Sequence, residues 1–195
     1  MTQKTEGTDF ATRDGRTLTL RSFRKSDAEA MLRFANSIVR EKRKNRDLGV
    51  AAFDKRLTKR FERKFLDTAI KGMKDRRVVS VAAFSGKDLV GECMIRGREP
   101  SDLAHTGLLG VVIQEEFRGV GLGEALMRSA LREARRIGIW LVELEVISIN
   151  RRAIRLYEKL GFRGAGVVPG KVQRDGRLID MVMMYDDLRQ TINPP

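Results

Sequence analysis

The sequence contains little of what several classes of protein require. Its 195 residues include a single cysteine, Cys93, and a single histidine, His105. One cysteine cannot form an internal disulfide, and these two residues do not supply an ordinary zinc site, so we expect no bound metal. No apolar run approaches the length of a transmembrane helix, and residues 1–15 lack the apolar stretch of a signal peptide. These absences predict a cytoplasmic protein with no membrane partner.

Aromatic residues are also scarce, at 6%, whereas 33% of residues are charged and the formal net charge is +13. Residues 40–77 carry much of the excess, with 15 Lys or Arg against 6 Asp or Glu. Such a run is usually a solvated helical surface, although it also attracts anionic ligands or nucleic acid. Because aromatics are few and no nucleic-acid module is recognisable, nucleic acid is the less favoured partner.

The hydrophobic pattern predicts a loose polar tail over residues 1–14 and a single domain over residues 15–190. Apolar residues at helical spacing predict four helices, which start near Ser26, Asp54, Gly121 and Asn150. Strand-like segments lie between them, without strict alternation of strand and helix. The expected fold class is therefore α/β (α+β), with a mostly antiparallel central sheet flanked by helices and a parallel section near a glycine-rich loop.

That loop is FRGVGLGEAL, in which Gly119, Gly121 and Gly123 follow the apolar run Thr106–Ile113. Nucleotide-hydrolysing loops end in Gly-Lys-Ser or Gly-Lys-Thr, but Gly123 precedes Glu124. Dinucleotide folds require G-x-G-x-x-G, and the third glycine is missing in both possible frames. A glycine loop at the start of a helix can still bind a diphosphate through backbone N–H groups, without metal. The alternative is a tight turn that needs glycine only for its geometry.

Two further features accompany the loop. Gly110 interrupts the apolar strand, and a bulge there would free main-chain groups of Val111–Ile113 to bind a ligand that carries amides. In the later block NRRAIRLYEKLGF, Asn150 and Tyr157 are the polar members of an amphipathic helix. The alternative for this helix is that its apolar face, with Tyr157, only packs in the core.

The loop RGVGLG and the block N-x-x-A-x-x-L-Y-x-K-x-G-F together resemble the GNAT superfamily of acetyl-CoA-dependent N-acetyltransferases, over Thr106–Phe162. The resemblance implies a GNAT-like sheet with splayed strands at the coenzyme site, and acetyl-CoA as co-substrate. It also implies that the glycine loop holds the pyrophosphate, that the strand pairs with the pantetheine arm, and that no metal is needed. The residues implied in coenzyme binding are Val111, Val112, Ile113, Arg118, Gly119, Val120, Gly121, Leu122, Gly123, Glu124, Asn150 and Tyr157.

The resemblance also implies catalytic roles. Tyr157 would donate a proton to the departing thiolate. Many GNAT members carry a glutamate base near the start of the strand that precedes the loop, but that position falls near Gly107 in this sequence. His105, whose ordinary pKa suits a base, and Glu92 on the preceding strand are the two candidates to replace it. Water as the only proton acceptor is a third alternative.

The terminal block QRDGRLIDMVMM resembles GNAT branches that acetylate free amino acids or small amines, and branches that acetylate ribosomal-protein N-termini. The predicted function is acetyl transfer from acetyl-CoA to a primary amine by direct attack in a ternary complex, with an amino acid or small amine as acceptor. The alternatives are a protein or peptide N-acetyltransferase, and a non-catalytic basic module that binds nucleic acid. The resemblance is compatible with a homodimer.

Overall fold

The computed structural model describes residues 7–45, 55–99 and 101–190. In that part of the chain it contains four α-helices and eight strands. The helices are α1 (Ala28–Lys44), α2 (Lys59–Lys74), α3 (Leu122–Arg136) and α4 (Arg151–Lys159). The strands are β1 (Thr8–Ala11), β2 (Thr17–Arg21), β3 (Val78–Ser85), β4 (Asp88–Gly97), β5 (Thr106–Ile113), β6 (Leu141–Ile147), β7 (Arg163–Arg174) and β8 (Arg177–Asp187).

All eight strands form one sheet in the order β1-β2-β3-β4-β5-β6-β8-β7. Neighbouring strands are antiparallel except β5 and β6, which run parallel because α3 connects them across one face. The mixed, mostly antiparallel sheet predicted from the sequence is therefore confirmed, including its parallel section beside the glycine loop. No helix in the described ranges is both long and apolar enough to cross a bilayer.

The N-terminal segment differs from the expected loose tail. Thr8–Ala11 form the edge strand β1, which pairs with Thr17–Leu20 of the neighbouring strand. The turn between them is tied by the Thr12 side chain, which accepts the Arg16 N–H at 2.9 Å. The expectation of a loose tail is wrong for this segment, because Phe10 is the one large apolar residue of Thr8–Ala11 and gives the strand no alternating pattern. Residues 1–6 lie outside the described part of the chain.

Helices cover the sheet on both faces, and each face has its own core. The stripes of α1 and α2 that carry Phe34, Ile38 and Leu66 pack with Met94 of β4. On the other face, α3 contributes Leu122, Leu126 and Met127 to the larger core, each fully buried. The sheet is thus the middle of three layers. The face of the sheet on which a side chain lies decides which helices it contacts.

The strands β5 and β6 splay apart halfway along their length. Their parallel pairing covers Thr106–Leu109 of β5 and stops there, whereas β4 stays paired with β5 up to Ile113. The predicted bulge at Gly110 is wrong, because the register with β4 runs through Gly110↔Met94 without a shift. The main chain beyond Leu109 instead has no partner in β6, because the pairing of β5 with β6 ends at that residue.

Candidate active site

The glycine loop lies between β5 and the first turn of α3. Gly119 and Gly121 have φ angles of 85° and 91°, in the left-handed region that disfavours any side chain. Gly121 immediately precedes the helix and has no side chain with which to cap it. The first N–H groups of α3 therefore retain hydrogen-bonding capacity, and the helix dipole adds positive potential at the same point.

These N–H groups lie beside a cavity of about 420 Å³ that opens between the loop, the splayed end of β5 and α4. Ten of the twelve residues expected at a coenzyme line this cavity: Val111, Val112, Ile113, Arg118, Gly119, Gly121, Gly123, Glu124, Asn150 and Tyr157. The other two do not. Leu122 is fully buried in the core, and Val120 contributes its carbonyl oxygen to a hydrogen bond from the Arg13 N–H at 3.0 Å.

The structure adds four cationic side chains that the sequence did not indicate: Arg13, Arg152, Arg155 and Lys159. The Arg152 guanidinium lies so close to Gly119 that a Cβ on this glycine would collide with it. The Nε atom of Arg13 would lie 3.7 Å from a Cβ at Gly121. Two guanidinium groups from distant parts of the chain therefore flank the glycine loop, and guanidinium groups form strong charge-assisted hydrogen bonds with phosphates.

Arg118, in contrast, is already engaged. Its guanidinium forms a bidentate ion pair with Glu41 of α1, with Nη2 2.7 Å from Oε2, and its Nε donates to the Ile113 carbonyl at 2.9 Å. Both members of the pair are mostly buried. Arg118 therefore fastens α1 to the end of β5. Its charge is largely neutralised by Glu41, although the resemblance implies that this residue binds the coenzyme.

Glu124, at the start of α3, is held by two cations. Its carboxylate accepts from Lys159 at 2.7 Å and from Arg128 at 3.0 Å. The hydrogen bond from Lys159, followed by the one from Arg128, lowers the pKa of Glu124. This carboxylate therefore stays ionised and fixes Lys159 at the rim of the cavity.

Asn150 and Tyr157 project from α4 toward the same cavity. Asn150 caps the helix, since its side-chain oxygen accepts the Ala153 N–H at 3.2 Å. Tyr157 is buried, with its ring 6.1 Å from the ring of Phe162. Burial, with a smaller contribution from the nearby Cys93 thiol, raises the pKa of Tyr157 to about 12. The phenol therefore remains a hydrogen-bond donor across the physiological pH range.

The two candidate bases lie in different places. Glu92 pairs with Val112 across β4 and β5, so both side chains point to the face covered by α1 and α2. There Glu92 lines a second cavity of about 100 Å³, which Val112 also lines. Burial raises the pKa of Glu92 from its ordinary 4.5 to about 7, and the like charge of Glu62 adds to the increase, while Arg96 opposes it.

His105 is not brought to either cavity. Its ring stacks on Trp140 with centroids 4.2 Å apart, and its carbonyl accepts the N–H groups of Trp140 and Leu141. At about 3.3 Å per residue, it lies roughly 23 Å along β5 from Val112. Within the described residues, no group of three or more His, Cys, Asp or Glu side chains is placed to hold a metal ion.

Residues 43–162 match the model of the Acetyltransferase (GNAT) family. Because this match covers more than half of the chain, the chain belongs to that family. Among curated proteins, it is 32% identical over 85 residues to the L-methionine sulfoximine/L-methionine sulfone acetyltransferase of Pseudomonas aeruginosa, which covers 44% of this chain and 49% of that protein. The chain spans about half the length of the curated relatives it matches.

Solved structures agree with the family over most of the chain. An acetyltransferase of the GNAT family from Streptococcus pneumoniae superposes with a TM-score of 0.77 at 25% identity, covering 87% of this chain and 99% of that one. YncA from Salmonella typhimurium, solved with its cofactor acetyl-CoA, gives a TM-score of 0.74 at 21% identity over 91% of this chain and 98% of its own. The predicted GNAT fold is confirmed.

Proposed function

We propose that this chain transfers an acetyl group from acetyl-CoA to the primary amine of an amino acid or small amine, within a ternary complex. The observation that carries the proposal is the cavity of about 420 Å³, which combines a helix-starting glycine loop, an unpaired strand edge and a buried tyrosine. These three features match the three parts of the coenzyme: a diphosphate, a chain of amides and a thioester. The methionine-derived substrates in the name of the Pseudomonas relative support an amino acid as acceptor.

The loop and its flanking arginines would hold the phosphates. Backbone N–H groups at the start of α3 supply directed donors, and Arg13 and Arg152 supply charge on the two sides of Gly119 and Gly121. Beyond the loop, the main chain of Val111–Ile113, which has no partner in β6, would pair with the pantetheine amides in the manner of an added strand. The Ile113 carbonyl of this stretch is already engaged, because it accepts from Arg118. The residues present therefore fit the coenzyme without a metal ligand.

Acetyl-CoA supplies a thioester whose C–S bond is replaced by the C–N bond of the amide. The acceptor ammonium must lose one proton before its nitrogen can attack and a second as the amide forms. One of the two protons is balanced by the proton that reaches the departing sulfur, and the other is released. Glu92 is the base favoured by its position, because it lies beside Val112 and a pKa of about 7 suits proton removal near neutral pH. His105 has no such position, since it lies outside both cavities.

Tyr157 would donate a hydrogen bond to the departing sulfur. With a pKa of about 12 the phenol is fully protonated at neutral pH, so the donor is always present. A free thiol has a pKa of about 8.5, so complete transfer from an isolated phenol would be uphill. We therefore expect Tyr157 to stabilise the developing thiolate in the transition state through a hydrogen bond. The phenol proton would move fully to the sulfur only when another proton reaches the phenol oxygen.

The first test is binding of acetyl-CoA, followed by an acceptor screen. A ligand that binds only the native state raises the melting temperature. At a ligand concentration of a hundred times Kd, it adds about 2.7 kcal/mol to the free energy of unfolding. The screen then measures release of free thiol with amino acids, small amines, peptides and basic proteins. No melting shift at about 1 mM acetyl-CoA, the upper end of ordinary KM values, would contradict the proposal.

A matched pair of glycine variants tests the loop itself. Gly121 and Gly138 have nearly equal φ angles of 91° and 95°, and an added Cβ would meet only ordinary van der Waals neighbours at Gly121 and open space at Gly138. Alanine should therefore strain both backbones by similar amounts. Only Gly121→Ala should also reduce the stabilisation by acetyl-CoA, because Gly138 lies at the far end of α3. Equal losses of coenzyme binding would argue against a phosphate-binding loop.

A further inference from the structure

The second cavity lies between α1, α2 and the sheet, on the opposite face from the coenzyme cavity. Its wall is mostly apolar and includes the rings of Phe34, Phe61 and Phe65. Phe61 is 43% exposed although it is a large hydrophobic residue. An exposed ring at an apolar cavity is typical of a surface that receives a ligand.

Two carboxylates interrupt this apolar wall. Glu62 of α2 is only 4% exposed, and the Oε2 atom of Glu92 is buried with no hydrogen-bond partner among the described residues. A buried carboxylate without a partner is costly, so such groups normally have a counter-ion or a hydrogen bond. An ammonium group supplies both, and phenyl rings add cation–π attraction.

Val112 connects this cavity to the chemistry, because it lines both cavities. A ligand against Val112 in the second cavity therefore lies next to the strand segment that lines the first. Beyond Leu109, β5 has no partner in β6, so the gap between the splayed strands is where an amine nitrogen held by Glu62 and Glu92 would meet the thioester. Direct attack within a ternary complex requires that nitrogen to come within about 3.5 Å of the thioester carbon.

We propose that the second cavity is the acceptor site, in which Glu62 and Glu92 bind a primary ammonium group and the phenyl rings bind an apolar substituent. The acceptor is then a primary amine with an apolar body, amino acid or not, and Glu62 is a substrate-binding residue. This assignment rests on the proposed acetyl transfer. It narrows the acceptor class by excluding small amines whose only other groups are polar, because the apolar wall cannot satisfy them.

The titratable and charged groups around Glu92 come from α2 and from β4 itself. Glu62 faces it from α2. Arg96 lies four residues along β4 with its guanidinium 5.3 Å from the Phe65 ring centre, and the Cys93 thiol is buried on the opposite side of β4. Glu62 opposes ionisation of Glu92, whereas Arg96 favours it. Removing the charge of Glu62 should therefore move the acidic limb of the turnover profile to lower pH. A merely structural role for Glu62 would leave that limb in place.

The binding probe is N,N-dimethylphenethylamine, a tertiary amine that carries the ammonium and the apolar body but cannot form an amide by acetyl transfer. We expect calorimetry on the full chain to show that it binds at least about tenfold more tightly than N,N-dimethylethanolamine, its polar counterpart. Glu62→Gln should weaken the binding of N,N-dimethylphenethylamine by about tenfold, as expected for loss of one charged hydrogen bond. The matched control is Asp67→Asn, an exposed carboxylate on the same helix, which should leave binding unchanged.

Several results would overturn the inference. Equal binding of the two probes, or failure of the wild type to bind the apolar one, would show that the cavity does not select apolar amines. This comparison stands even if Glu62→Gln does not fold. If acetyl-CoA binds and thiol is released with polar amines only, the acetyl transfer survives and the acceptor assignment fails. If acetyl-CoA does not bind, the proposed function fails, and the acceptor assignment fails with it.

Discussion

Glu92 allows a test that separates the need for a base from the need for stability. Its carboxyl group loses its water on folding and gains no hydrogen bond at Oε2, which raises its pKa from 4.5 to about 7. Below about pH 4.5 the group is neutral in both the folded and unfolded chain. Between about pH 4.5 and 7 only the unfolded chain ionises, so stability is lost as the pH rises through this window. The full loss is about 3 kcal/mol, at about 1.4 kcal/mol for each pH unit.

Glu92→Gln removes this penalty while keeping the shape of the side chain. The free energy of unfolding of the variant, relative to wild type, should therefore increase by roughly 2 to 3 kcal/mol between about pH 5 and about pH 8. Urea unfolding at the two pH values measures it. Glu158→Gln, at an exposed position on α4, provides the control and should show no such increase. A constant difference for Glu92→Gln would mean that Glu92 is not desolvated, and the argument for its basicity would fail.

The same variant should lose activity. If Glu92 removes the proton from the acceptor, Glu92→Gln should lower turnover by about 10²- to 10⁴-fold, the usual contribution of a general base. Greater stability together with lower turnover is the pattern expected when a buried charge is retained for chemistry. Turnover equal to wild type would assign the proton to water, one of the alternatives left open by the sequence.

Two further predictions concern the coenzyme cavity. Tyr157→Phe should lower kcat with little change in KM for acetyl-CoA, whereas Tyr185→Phe, at the only other tyrosine, should leave kcat unchanged. Steady-state kinetics distinguish the two variants. An unchanged kcat in Tyr157→Phe would show that the phenol takes no part in the reaction. Arg13→Gln should weaken the binding of coenzyme A by about tenfold and reduce the salt dependence of that binding, because one phosphate contact is lost. Arg135→Gln, at an exposed position, is the control. Equal calorimetric affinities of the two variants would show that Arg13 does not contact the coenzyme.

The parts of the site that could be predicted are those with a local signal. Gly119 and Gly121 can be recognised in the sequence because their positive φ angles strongly favour glycine, and because the helix after them has a clear apolar period. Asn150 is similarly marked as the residue before a strongly amphipathic helix, and it does cap α4. In each case the residue and the structure that explains it lie within a few positions of each other.

The parts that could not be predicted depend on contacts between distant segments. Arg13 belongs to a stretch that resembles a polar tail, and reaches the loop because its N–H bonds to the Val120 carbonyl. Glu62 is one charge in a strongly basic segment, and is buried only because α2 packs its inner side against α1 and the sheet. The ordinary pKa of histidine favours His105 as a base, but its distance from the cavities follows from where β5 splays.

The location of the buried carboxylates changes what the basic segment means for substrate choice. The excess positive charge of residues 40–77 suggests that cationic acceptors are repelled and that acceptors carrying a carboxylate are attracted. Exposed charges are screened beyond about 10 Å at moderate salt, whereas a desolvated carboxylate acts at close range in a medium of low dielectric constant. At the acceptor nitrogen, Glu62 and Glu92 therefore outweigh the surface, and an ammonium group is stabilised there. A polyamine is disfavoured for a different reason: Glu62 and Glu92 are the only charged residues among the described lining of this cavity, so a second ammonium would lie against its apolar wall without a counter-charge.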